Sequence, residues 1–339
     1  MVGIDVLRGI AALAVFVFHV QFMAGFEKRT LPPIEVNGRT VVLPNVLSLG
    51  ASGVTLFFIL SGLCLSLEPL RRAARGRHPL DARVYFRNRV ARVYPAYALA
   101  VLTSAALAMA TSSLSARDTL TQTVVHLAFV HAASGEWILS LNGALWSMAT
   151  EVQFYLAYPL LLASFVRLGP KRFLLAAMLS TLAYRVAITM LPCAASIQGS
   201  VTLEALLAML LPGRLAEFAL GMYLAELHVA RRSPAPSVWL KRLGVSLPVA
   251  LLIRARGPSA LAEFALAVAY VNIVALVLLA PSTSHGTVRT RLLDTAASFG
   301  HASYSFFLFH TPVCELLGFL FVFDKPTGSY VTLLKLLAV

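Results

Sequence analysis

Charged residues are scarce in this chain: Asp, Glu, Lys and Arg make up only 13% of its 339 residues. A soluble domain carries about 25%. Hydrophobic residues account for 58% of the chain, and the mean hydropathy is +0.79. This composition excludes a water-soluble globular domain and a disordered chain.

Cysteine is also rare. Cys64, Cys193 and Cys314 are far apart and lie in or beside apolar runs. The chain has no CxxC motif and no Cys/His cluster, so the pattern predicts neither a disulfide framework nor a zinc site, and we expect no metal.

Acidic residues are outnumbered by basic ones, and the net charge is +13. The Lys and Arg residues lie in short clusters between apolar runs, which is how membrane proteins are oriented in the bilayer. The excess of positive charge therefore indicates a lipid bilayer as partner and argues against nucleic acid.

Long continuous apolar runs predict an all-α polytopic transmembrane bundle of about 9–11 helices, because a helix needs about 20 apolar residues to cross the hydrocarbon core. We expect one transmembrane domain over 1–339, with a final run at 329–339 that resembles a truncated span. Segment 119–134 is too short and polar to cross, and the loop 26–49 is predicted to contain a hairpin turn at Asn37-Gly38. The apolar N-terminus is interpreted as a retained span, since its leader is not basic enough for a cleavable signal. The predicted spans are 4–25, 50–68, 93–111, 143–166, 173–191, 204–229, 243–258, 261–281 and 297–323.

The distribution of basic residues predicts the orientation. Seventeen Lys and Arg lie in segments 69–92, 167–172, 228–242 and 282–294, and six lie in the intervening connections. The positive-inside rule places segment 69–92 in the cytoplasm and the N-terminus on the same side.

Ionisable residues inside predicted spans are functional candidates, because they are costly in lipid. Arg8 and His19 are eleven residues apart and share one helix face, about 16 Å apart along the axis. Asp5 can pair with Arg8 at i, i+3. The structural alternative to a functional role is that Arg8 extends its side chain to the membrane surface and that His19 bonds to a neighbouring helix. The residues singled out on this ground are Arg8, His19, Glu151, Arg185, Arg214, Glu217, His310 and Glu315.

Two further groups follow from spacing. Arg89 and Arg92 at i, i+3 point one way and could grip phosphate, although ordinary positive-inside charge also explains them. Ser147 and Glu151 share a face at i, i+4. The carboxylate must either be protonated or have a partner on another helix, for which histidine is a natural choice.

Three of these intramembrane residues have a local interpretation. Arg214 and Glu217 are expected to form a structural ion pair. His310 precedes Thr311-Pro312, where the proline frees a carbonyl and favours a cavity-lining position.

Six strings, in order, make the chain resemble the acyltransferase-3 family of membrane O-acyltransferases. They are D-x-x-R-G-I-A-A…H from Asp5 to His19, LFFILSG at 56–62, RVARVYP at 89–95, WSMATEVQFYLAYP at 146–159, RLAEFALGM at 214–222 and SYSFFLFHTP at 303–312. The resemblance implies acyl transfer, usually acetyl from cytoplasmic acetyl-CoA, to a hydroxyl of a cell-envelope glycan or a lipid-linked saccharide. It also implies a bacterial inner-membrane location.

The resemblance assigns roles by motif position. His19 corresponds to the catalytic histidine of the family, Glu151 to its motif glutamate, and Arg8, Arg89 and Arg92 to its acyl-donor arginines. Supporting residues in or beside these motifs are Asp5, Ser61, Ser147 and His310.

The chemistry of these side chains fits acyl transfer. Imidazole can take a hydroxyl proton at neutral pH, and Glu151 would orient it or stabilise its cation. Direct transfer and an acyl-histidine relay both remain open. The alternative functions are a proton-coupled transporter that uses His19, Glu151 and His310 as a relay, and a purely structural membrane protein.

Overall fold

The computed structural model describes residues 1–23, 34–36, 39–41, 46–111, 113–190, 203–256, 259–280 and 288–321. Within these ranges the chain is almost entirely helical, which confirms the all-α class. The α-helices are α1 (Val2–Met23), α2 (Gly53–Ala74), α3 (Ala82–Ala110), α4 (Ala116–Leu127), α5 (Trp146–Leu168), α6 (Pro170–Thr189), α7 (Leu203–Met209), α8 (Leu211–Val229), α9 (Pro236–Arg256), α10 (Ser259–Leu279) and α11 (Val288–Phe321).

Short elements fill parts of the connections. Two 3₁₀ helices, Val46–Ser52 and His131–Ala133, precede α2 and α5. An antiparallel hairpin pairs β1 (Ile34–Val36) with β2 (Arg39–Val41) in the 26–49 loop, where a hairpin was predicted. Its expected turn residues, 37–38, lie outside the described ranges.

Eight segments of the described chain are long and apolar enough to cross a bilayer, and they overlap the first eight predicted spans. The protein is therefore a multi-pass membrane protein. The ninth predicted span, 297–323, overlaps α11, which is not one of the eight and stays a prediction; the run 329–339 lies outside the described residues. The segments are Val2–Gln21, Val46–Ala74, Ala82–Ala110, Trp146–Leu168, Pro170–Thr189, Leu203–Val229, Pro236–Ala255 and Leu261–Leu279.

Segment 119–134 does not form a crossing helix, as predicted. It contains α4, whose 12 residues rise about 18 Å, well short of the ~30 Å hydrocarbon core.

Two helices begin earlier than the sequence pattern predicted. α3 begins at Ala82 instead of residue 93, with Asp81 capping it through the Val84 amide at 3.1 Å. α9 begins at Pro236 instead of residue 243 and has 21 residues. Arg and Lys are good helix formers, so a basic cluster lengthens a helix that hydropathy alone would end.

The predicted span 204–229 is broken between α7 and α8. The two freed backbone groups at the break bond to side chains of α5. Thr150 Oγ1 donates to Met209 O at 2.7 Å, and the Leu211 amide donates to Gln153 Oε1 at 3.0 Å. Irregular backbone at membrane depth is tolerated because these partners satisfy it.

Five of the described helices contain an internal proline, which leaves a carbonyl without its usual intrahelical donor. In α2, α5 and α11 a side chain from elsewhere in the bundle replaces that donor and ties the helix to its neighbours. The bonds are Tyr158 OH to Leu65 O at 3.0 Å (before Pro69), Tyr85 OH to Tyr155 O at 3.2 Å (before Pro159), and Asn142 Nδ2 to Leu308 O at 3.2 Å (before Pro312).

The close crossing of α2 and α8 depends on glycine. A Cβ at Gly62 would overlap the carbonyl of Phe218, and a Cβ at Gly221 would overlap that of Ile59. Small residues let membrane helices approach this closely. The crossing fixes the position of α2 beside the site described next.

Candidate acyl-transfer site

An elongated cavity of about 370 Å³ lies between α1, α2, α3, α5 and α11. On α2 its lining extends from Val54 to Arg72, a length of about 27 Å at 1.5 Å per residue. This shape suits a long, narrow ligand. Of the predicted site residues, it brings together Arg8, Ser61, Arg89, Arg92, Ser147 and Glu151.

The predicted donor-binding arginines share this cavity. Arg89 and Arg92 enter from α3 and Arg8 enters from α1. Arg8 Nη1 lies 3.5 Å from Asp5 Oδ1, which confirms that pair. Asp5 itself does not line the cavity, and its other oxygen lies 3.4 Å from the N-terminal amine. The Asp5 carboxylate therefore binds Arg8 from outside the cavity.

A fourth arginine, Arg72, lines the cavity without having been singled out from the sequence. It belongs to the basic cluster 69–92, which served only to orient the chain. The i, i+3 spacing of Arg89 and Arg92 on one helix indicated that they act together. Arg72 lies on the neighbouring helix, and no spacing in the sequence linked it to them. The acidic residues Glu68 and Asp81 also line this end, so the guanidiniums are not surrounded by positive charge alone.

Glu151 does not have the predicted histidine partner. Its Oε1 accepts a hydrogen bond from Ser61 Oγ at 3.2 Å and a second one from Tyr155 OH. Among the described residues it makes no hydrogen bond to His19. Hydroxyl groups from α2 and from its own helix satisfy the carboxylate instead.

His19 pairs with the other predicted histidine, His310. His310 Nε2 lies 3.2 Å from His19 Nδ1, and the ring centroids are 4.8 Å apart. His19 Nδ1 also lies 2.9 Å from Val15 O, and His310 Nδ1 lies 2.6 Å from Phe307 O. The two histidines are 291 positions apart in the sequence, so only the packing of α1 on α11 reveals the pair.

The histidine pair lies beyond the wall of the cavity. Of the described residues that line it, none is His19 or His310, so the predicted cavity-lining position of His310 is wrong for this cavity. Phe307 does line the cavity, and its ring centroid is 5.5 Å from that of His310. The Phe57 and Phe307 rings are 5.6 Å apart. Aromatic side chains thus stand between the arginines and the imidazoles.

The predicted Arg214–Glu217 ion pair is confirmed at 3.4 Å, and it belongs to a larger network. Arg185 Nη2 lies 2.7 Å from Glu217 Oε1, and both side chains are buried. Arg214 and Arg254 lie 3.8 and 3.5 Å from Glu263. Glu263 lies inside the predicted span 261–281, which was a usable signal that the sequence analysis missed, but it has no charged neighbour at helical spacing that would have indicated its partners.

Two histidines that the sequence left without a role form a second pair outside the membrane spans. His126 and His131 are buried, with ring centroids 4.0 Å apart and planes 7° apart. Burial lowers the pKa of both imidazoles, and for His131, with His126 as a second cause, it lowers the pKa to about 3. Both rings are therefore neutral at physiological pH. The described residues contain no group of three or more His, Cys, Asp or Glu arranged to hold a metal ion.

Comparison with known proteins agrees with these features. The chain matches the family model described as "Acyltransferase domain" (acyltransferase 3) over residues 1–339. It is similar to the acyltransferase MdmB of Streptomyces mycarofaciens, with 29% identity over 161 residues, and this alignment covers 45% of the chain and 37% of that relative. No solved structure matches the chain significantly. The chain belongs to the acyltransferase-3 family, and its long apolar helices make it a multi-pass membrane protein.

Proposed function

We propose that this protein moves an acyl group, acetyl in the simplest case, from cytoplasmic acyl-CoA to a hydroxyl of a cell-envelope or exported glycan. The observation that carries the proposal is the elongated cavity. It joins arginines from two helices to a carboxylate and a serine hydroxyl further along the same space. The predicted orientation, with the N-terminus and segment 69–92 in the cytoplasm of a bacterial inner membrane, puts the arginine end on the side where acyl-CoA is made.

Arg8, Arg89 and Arg92 bind the phosphates of CoA. Guanidinium groups form paired, charge-assisted hydrogen bonds to phosphate, which ammonium groups do not match. The narrow remainder of the cavity receives the pantetheine arm. Ser61 lies about 16 Å along α2 from Arg72, so the thioester can reach the interior while the phosphates stay at the mouth.

His19 is the general base for the acceptor hydroxyl. A carbonyl oxygen can only accept a hydrogen bond, so the nitrogens that face Val15 O and Phe307 O carry the protons. His310 Nε2 then accepts from His19 Nδ1–H, and His19 Nε2 keeps its lone pair. Val15 and His310 orient the imidazole in this way, a role first expected of Glu151.

The barrier of Phe57 and Phe307 adds a requirement. The acyl group must pass these rings to come within reach of His19, or the rings must move when both substrates are bound.

The test uses purified protein in liposomes with labelled acetyl-CoA and an envelope-glycan acceptor. We expect His19→Ala to lower acceptor labelling by about 10²–10⁴-fold. His228→Ala is the matched control, since His228 does not line the cavity, and it should keep full activity. Undiminished transfer by His19→Ala would remove His19 from the mechanism.

The donor site is tested separately by CoA binding. Arg89→Ala and Arg92→Ala should each weaken CoA binding, and Arg→Lys should restore only part of it, because lysine lacks the planar fork. Acceptor-independent, pH-driven flux across sealed vesicles would instead favour a transporter. Mass spectrometry of envelope glycans from a deletion strain and its parent identifies the acceptor.

A further inference from the structure

Ser61 differs from Ser147, another serine of the cavity, in its hydrogen-bond partner. Its Oγ donates to Glu151 Oε1 at 3.2 Å, whereas Ser147 Oγ donates to the backbone carbonyl of Ala144 at 3.0 Å. A serine bonded to a carboxylate has a group to which its proton can go. Nucleophilic serines in enzymes are activated by such an adjacent base.

A third group holds the base in place. Tyr155 OH donates to the same oxygen of Glu151, one helical turn along α5. Ser61, Glu151 and Tyr155 are thus arranged as a nucleophile, its base and a group that orients the base. Ser61 itself is fixed because Gly62, the next residue, packs directly on the backbone of α8.

The position of Ser61 also fits the path of the acyl group. Ser61 and Glu151 line the cavity together with the arginines, whereas His19 does not, and its partner His310 packs against Phe307. A thioester in this cavity therefore meets the Ser61 hydroxyl before it can meet any hydroxyl activated by His19.

On these grounds we propose that Ser61 is a catalytic nucleophile that carries the acyl group as an oxygen ester between acyl-CoA and the acceptor. The proposal rests on the proposed function, because it assumes that the cavity binds acyl-CoA. It divides the reaction into a donor half at Ser61 and an acceptor half at His19.

In the donor half, Ser61 Oγ attacks the thioester carbon while its proton passes to Glu151 Oε1. The carbon–sulfur bond breaks, and Glu151 returns the proton to the departing sulfur. The products are acyl-Ser61 and CoA thiol. In the acceptor half, the acceptor oxygen attacks the ester carbon, His19 takes its proton, and that proton is returned to the departing Ser61 oxygen.

The experiment incubates the purified full-length protein with labelled acetyl-CoA and no acceptor. We expect a burst of CoA thiol, up to one per protein, and a matching label on Ser61 that resists neutral hydroxylamine. Resistance to hydroxylamine distinguishes an oxygen ester from a thioester at Cys64, which also lines the cavity. Glu151→Gln should slow the burst by about 10²-fold.

Ser61→Ala should abolish burst and label, while Ser180→Ala, a control serine on α6 that does not line the cavity, should retain both. Retained CoA binding by Ser61→Ala shows that this variant is folded. In a Cys64→Ala background, Ser61→Cys should restore labelling as a hydroxylamine-sensitive thioester.

His19→Ala separates this proposal from the proposed function. It should keep the burst and lose transfer to the acceptor. An undiminished burst in Ser61→Ala, or an unlabelled wild-type protein that still acylates the acceptor, would overturn the serine relay and leave the proposed function standing. A wild-type protein that neither binds CoA nor acylates any acceptor would overturn both.

Discussion

Removing the charge of Glu217 is expected to destabilise the protein more than any comparable change at its surface. Glu217 accepts from Arg185 Nη2 at 2.7 Å and from Arg214 Nη1 at 3.4 Å. The side chains of Glu217 and Arg185 are 0% and 1% exposed. Substitution by Gln keeps the shape and one hydrogen bond but leaves two guanidiniums facing a neutral group.

The magnitude follows from charge and burial. The network contains three arginines and two glutamates, with a net charge of +1, and Glu217→Gln raises it to +2. Breaking a buried pair by removing one partner costs about 3–5 kcal/mol. Because Gln still accepts one hydrogen bond, we expect about 3 kcal/mol. Exposed Glu136→Gln should change stability by less than about 0.5 kcal/mol.

The assay is equilibrium unfolding in mixed detergent micelles, followed by circular dichroism, for both variants and the wild type. A double variant, Arg185→Met with Glu217→Leu, replaces the pair by apolar groups and should recover more than half of the loss. Equal stability of Glu217→Gln and Glu136→Gln would refute the reasoning, because it would mean that the guanidiniums are satisfied without the carboxylate.

Two further predictions concern the cavity and the histidine pair of the extramembrane segment. Alkylation of half-buried Cys64 should slow about tenfold when CoA is present at ten times its Kd, because a bound ligand blocks the cavity. Quantitative peptide mass spectrometry measures the alkylation rate. An unchanged rate at saturating CoA would contradict donor binding in the cavity. Because burial lowers the pKa of His126 and His131 in the folded state, the unfolded chain takes up protons first below pH 6.5. The contribution of these histidines to stability should therefore be constant above about pH 7 and fall as the pH drops below 6.5, by up to about 1.4 kcal/mol per pH unit for each histidine that is protonated only in the unfolded chain. For His131 this fall should continue to about pH 3. Thermal unfolding across this range checks the prediction, and His131→Gln should reduce the slope.

The helix pattern was largely predictable because hydropathy and bilayer thickness are strong constraints. The predicted helix bounds were wrong where hydropathy and bilayer thickness do not determine the backbone. Basic residues at 82–92 and 236–242 continue a helix although they are not apolar, and the break at Leu210 depends on Thr150 and Gln153, which satisfy the freed backbone groups from another helix.

Parts of the candidate site were also predictable, because some partners lie on one helix face. Asp5 with Arg8, Arg89 with Arg92, and Arg214 with Glu217 are each three residues apart, and helical geometry brings such pairs together. The presence of Glu151 in the membrane was a sound signal that it has a partner on another helix. The identity of that partner was not in the local pattern.

The sequence by itself determined that this chain crosses a membrane many times, that it belongs with acyl-transferring proteins, and which polar residues are costly enough in lipid to need a purpose. Only the tertiary structure decided that Glu151 bonds to Ser61, that His19 bonds to His310, and that Phe307 lies between these two pairs. The physical reason is range. Helical periodicity determines which residues are neighbours within two turns of one helix. Contacts between residues 90 and 291 positions apart depend on how whole helices pack. That packing is determined jointly by the glycines at helix crossings and by the side chains that bond to free backbone carbonyls.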